Sequence, residues 1–114
     1  MRYLSQSRSS NSGRAASSLT PSDHVLSLIL TIGGAKKVEV PAGAQYVVFS
    51  STVDFFVFYG KEDVPVAFVP TTDIMDGTAP EMSPGMRTLE VDDVTHMSII
   101  GIDAGQLTMA FYGG

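Results

Sequence analysis

The chain reads as all-β: a single small β-sandwich or jelly roll of seven to eight antiparallel strands, with an extended N-terminal arm. Two observations predict this. Apolar and polar residues alternate over short runs from residue 25 onward, the period-2 signature of half-buried strands. Turn-forming clusters punctuate those runs, among them Gly33-Gly34, Pro41-Ala42-Gly43, Ser51-Thr52, Asp92-Asp93 and Asp103-Ala104-Gly105. Many short strands between such turns mean a sandwich or jelly roll.

The arm is residues 1–22. It holds three arginines (Arg2, Arg8, Arg14), eight serines and no acidic residue. Such a segment has little to bury and is expected to order only against something else. In an extended chain, positions 2, 8 and 14 fall on one face, because side chains alternate. Three cations on one face suit an acidic groove on a neighbour. Tyr3 is the one aromatic among them. The arm also has the composition of an organelle transit peptide, a competing reading.

The body, residues 23–114, carries twelve acids against Lys36, Lys37, Lys61 and Arg87. Arm and body are thus +3 and −8, together the −5 of the whole chain. An acidic body repels a polyanion, so no nucleic-acid partner is expected. No membrane partner is expected either. The longest apolar run, residues 25–32, has eight residues and is interrupted by Ser27 and Thr31, where a helical span needs roughly 20.

In chain order, residues 25–32 place Leu26, Leu28, Leu30 and Ile32 on one face. Gly33-Gly34 then fits a tight hairpin turn into a second strand at 35–40. A helix opened by Thr20 and Pro21 and ended by Gly33 is the competing reading. Residues 45–50 and 53–59 are expected as a strand pair around Ser51-Thr52. The latter places Phe55, Val57 and Tyr59 on one face and Phe56 and Phe58 on the other. A strand apolar on both faces is central in a covered sheet or has one face against another chain. The preferred reading packs one face in the core and the other against a subunit. Residues 60–86 form a long Pro-rich loop with room for one short strand at 66–69; a connection of that length is often functional. Strands resume at 86–91, 96–102 and 107–112.

Chemistry is nearly absent from the pattern. There is no G-x-S-x-G, P-loop, H-E-x-x-H or C-x-x-C, and no cysteine at all. His24 and His96 lie far apart, and Asp73-x-x-Asp76-Gly77 lacks the alternating ligands and distal Glu of a calcium loop. No catalytic residue, metal site or cofactor is expected.

Several segments nonetheless form a familiar series: Pro41-Ala42-Gly43-Ala44, Tyr46-Val47-Val48-Phe49-Ser50, and the aromatic strand from Asp54 to Gly60. Asp76-Gly77-Thr78-Ala79, Met82-Ser83-Pro84-Gly85 and Arg87-Thr88-Leu89 follow, then the strand from Val94 to Ile100 and Leu107-Thr108-Met109-Ala110-Phe111-Tyr112. Over residues 38–112 this resembles small β-sandwich virion structural proteins of tailed bacteriophages, decoration or cement proteins among them. The resemblance does not extend to the arm.

It implies a non-enzymatic protein of the virion, expected first as a capsid decoration protein. The arm and long loop would anchor it to the major capsid protein or other virion proteins, and the protein itself would be a homo-oligomer. The partner-binding candidates are Arg2, Arg8, Arg14, Tyr3, Phe55 and Tyr59. A head–tail connector or tail component is the alternative. A further alternative is a carbohydrate-binding sandwich with Phe55, Tyr59 and Tyr46 as stacking residues.

Overall fold

The computed structural model describes residues 6–9, 16–19, 21–90 and 92–113, with side chains from residue 21 onward. In the arm, β1 (Gln6–Ser9) pairs antiparallel with β2 (Ala16–Leu19). The arm is therefore not one continuous extended strand.

The body has eight strands: β3 (His24–Leu30), β4 (Lys36–Glu39), β5 (Tyr46–Ser51), β6 (Phe55–Gly60), β7 (Glu81–Met82), β8 (Met86–Thr88), β9 (His96–Gly101) and β10 (Gly105–Tyr112). There is no helix among the described residues. β3 pairs with β10, β4 with β9, β5 with β8 and β6 with β7. The body is thus one long hairpin, first strand against last, with its tip between β6 and β7. Further pairing of β10 with β5 and of β9 with β6 rolls it into two sheets, β3-β10-β5-β8 and β4-β9-β6-β7. Every neighbour is antiparallel. This wiring is a jelly roll.

The pleat explains the core. Leu107, Met109 and Phe111 of β10 and Val47 and Phe49 of β5 point inward from the first sheet. Val38, Phe55, Val57, Met97 and Ile99 meet them from the second. The Phe49 and Phe55 rings, from opposite sheets, lie 5.5 Å apart at 41°, within the range of favourable aromatic pairs.

Three local expectations are corrected. Gly33, at φ 77, makes the turn that glycine permits, but β3 and β4 do not form a hairpin. A single bridge, Thr31 to Gly34, closes the turn, and the strands then enter opposite sheets. The turn after β5 behaves likewise, so residues 45–50 and 53–59 face each other across the core instead of pairing. Residues 66–69 form no strand. The backbone N–H of Ala67 donates to Ser98 Oγ at 2.8 Å instead of to a ladder.

Candidate interaction surfaces

Each sheet has an outer face, and the two are treated differently. On the second sheet, Phe56, Phe58, Ser98 and Ile100 alternate with the core residues and point outward. Yet Ser98 and Ile100 are buried. The cover is the 61–80 segment, which crosses this face between β6 and β7. Its own Val64 and Ala67 are buried, and the Phe58 and Phe68 rings stand 5.9 Å apart. The second face of the aromatic strand is therefore covered by the chain's own loop.

That loop leaves an apolar groove of about 450 Å³ at the end of the sandwich where β3 and β9 finish. Ile32, Ala35, Val66, Phe68, Val69 and Ile102 line it. Ile32 is 72% exposed and Val66 74%. Apolar side chains gathered this way on a surface mark contact sites. The sequence pattern put Ile32 on one face with Leu26, Leu28 and Leu30 and residues 66–69 in a short strand, whereas Ile32 and Val66 are exposed. The available signal was isoleucine on either side of the sandwich end, Ile32 before Gly33 and Ile102 after Gly101, together with an apolar run at 66–69 that no strand absorbs.

The opposite end is acidic. Glu39, Glu62, Asp63 and the 90–93 turn gather where β4 and β6 end, and the arm joins the body at this same end, just before β3. The exposed Glu90 carboxyl is held above the usual carboxylate range by its hydrogen bond to Asp93 and by that neighbour's charge. Lys37 Nζ donates to the Glu62 carbonyl.

Between the sheets, the β7–β8 rim is closed by polar contacts. Arg87 Nε donates to Glu81 Oε1 at 2.9 Å, and Tyr59 Oη donates to the same oxygen at 2.8 Å. Burial, then the Glu81 hydrogen bond and charge, push the Tyr59 phenol far above its ordinary value. Asp76 caps its own turn: Oδ1 accepts from the Thr78 backbone N–H and hydroxyl, which lowers its pKa. Among the described residues no group of three or more His, Asp or Glu side chains is arranged to hold a metal ion.

The sequence candidates are scattered. Arg2, Tyr3 and Arg14 lie outside the described residues, and Arg8 is in β1, of which only the backbone is described. Phe55 is 2% exposed in the core, so its ring offers no surface to a partner or a sugar. Tyr59 is half-buried at the rim with its hydroxyl engaged, and Tyr46 points outward from the other sheet. Phe55, Tyr59 and Tyr46 thus form no common platform. Comparison with known proteins found no matching family model, curated protein or solved structure.

Proposed function

We propose that this protein is a non-enzymatic structural component of a tailed-phage virion, first of all a decoration protein on the capsid shell. The observation that carries the reading is the exposed apolar groove between the long loop and the β3 and β9 ends. It gives the jelly roll a surface that needs a protein neighbour. The basic arm, leaving from the acidic end, supplies a second point of attachment of opposite character. Many weak attachments on a repetitive shell add up by avidity, so neither has to be strong alone. The resemblance of residues 38–112 to small virion proteins supplies the setting.

The test is quantitative mass spectrometry of gradient-purified particles from the phage that encodes the chain. A decoration protein is expected in numbers comparable to the shell subunits. A ring-sized count of about six or twelve copies moves the protein to the neck or tail. Absence from the particle overturns the reading.

A further inference from the structure

A jelly roll has four edge strands, and this one guards three of them. β4 carries Lys36, Lys37 and Glu39. β7 has two residues, and β8 has three with Arg87 at its centre. Short strands and charges are the usual means of keeping an edge from pairing with another chain. β3 has neither. It is seven residues long, its sequence is His-Val-Leu-Ser-Leu-Ile-Leu, and it contains no Lys, Arg, Asp, Glu or Pro. One side is paired to β10 along its whole length. Among the described residues no strand pairs with the other side.

β3 is also nearly symmetric about Ser27. Leu26 and Leu28 flank it on the inward face, and Val25 and Ile29 stand beyond them on the outward face. A two-fold interface requires such a surface, since each patch must match itself. We propose that the open edge of β3 pairs antiparallel with the β3 edge of a second copy, about a two-fold axis through Ser27. In that register Ser27 faces Ser27 of the second copy, Leu26 faces Leu28, and Val25 faces Ile29. The two four-stranded sheets become one sheet of eight.

The outer face supports the same occupant. Val25, Ala110, Val48 and Met86 are in register across all four strands of the first sheet. Val25 is 52% exposed and Ile29 59%, on either side of the strand's centre. Pairing would place each against the other's counterpart, so that the apolar row of each copy continues onto Ile29 of the other. A charged or strongly polar partner strand would match neither the row nor the inward leucines. The pairing goes beyond the virion reading and does not depend on it.

The chain has no cysteine, so single cysteines report the register cleanly. Paired residues in an antiparallel ladder have Cα atoms about 4.5–5.5 Å apart, inside the roughly 4.4–6.8 Å span of a disulfide. Ser27→Cys in the full chain is therefore expected to cross-link to itself on mild oxidation. Ile29→Cys is not, because the two copies of residue 29 would lie about 14 Å apart. In sedimentation, wild type is expected to be dimeric. Val25→Lys and Ile29→Glu are each expected to weaken the dimer about tenfold or more while keeping the folded circular-dichroism spectrum. The double variant restores it, since each lysine then faces a glutamate of the other copy. A wild type that stays monomeric as concentration rises overturns the proposal. So does equal cross-linking at 27 and 29, or a folded double variant that remains monomeric.

Discussion

The outer faces of the two sheets solve one problem in opposite ways. Each sheet of a sandwich has one face inside and one outside, and the outside need not be apolar. On the second sheet it is in part: Phe58 and Ile100 lie beneath the 61–80 segment, with Phe68 against Phe58. The cover is anchored through a buried polar contact, Ala67 N–H to Ser98 Oγ, and not through a strand. On the first sheet no described loop crosses the middle of the face, where Val25 and Ile29 stand exposed. Its apolar residues are thinned out among Ser27, Ser50, Thr88 and Thr108, and four of them, Val25, Ala110, Val48 and Met86, form a row that ends at the β3 edge. The lesson is that a face with clustered aromatic and aliphatic side chains needs a cover within the chain, whereas a more mixed face can stay open and still offer a contact.

Four changes would break or sharpen that contrast. The largest effect is expected in the core that both sheets share. Phe55→Ala should cost about 3–5 kcal/mol in denaturant unfolding, enough to endanger a small domain; a loss below 1 kcal/mol would place the ring outside the core. Next comes the anchor of the cover. Ser98→Ala leaves the buried Ala67 N–H without its acceptor, which should cost about 1–3 kcal/mol and open residues 61–80 to limited proteolysis. An unchanged digestion pattern would mean the loop is held by Phe58 and Phe68 alone.

The rim between the sheets should respond to pH. The Tyr59 phenol is raised in the folded state by burial and by Glu81. Its contribution is therefore complete below the ordinary tyrosine value of about 10 and is lost as pH rises above it. Stability of wild type should fall more steeply above that pH than stability of Tyr59→Phe; parallel curves would show that the phenol stays protonated equally well in the unfolded chain. The smallest effect belongs to the open face. Val48→Ser should change stability by less than about 0.5 kcal/mol, because Val48 is only partly buried on the outer face. A loss comparable to that of Ser98→Ala would end the contrast between the faces.

Much of this architecture is legible in the residues. The alternation of Leu26, Leu28 and Leu30 marks β3, and the two-sided apolar pattern of 55–58 signals that both faces of β6 are covered. What alternation cannot convey is which layer a strand joins. Gly33-Gly34 and Ser51-Thr52 have the chemistry of a tight turn whether the chain pairs with itself or crosses to the opposite sheet. Parity likewise separates Phe55 from Phe56 without saying which is inside, and the aromatic chosen as a surface candidate, Phe55, is the one in the core. β7 has two residues and too few side chains to show a period. The β1–β2 pairing lies in a serine-rich stretch with no alternation to announce it. The groove residues were visible as apolar, but their exposure follows from how the loop docks on Ser98.

The nested pairing of the body also sets the order in which it can be made. The Ser22 hydroxyl donates to the Phe111 carbonyl, a contact between residues 89 positions apart, and the whole β3–β10 ladder closes over comparable separations. Such a chain must pay most of its loop-closure entropy before its longest ladder forms, which places it among slow folders. On the ribosome, β3 emerges ahead of its partner β10, with six strands between them. Throughout synthesis the strand least protected against foreign pairing is the one that waits longest for its own. The yield of soluble protein should therefore depend on how fast translation delivers β10 after β3.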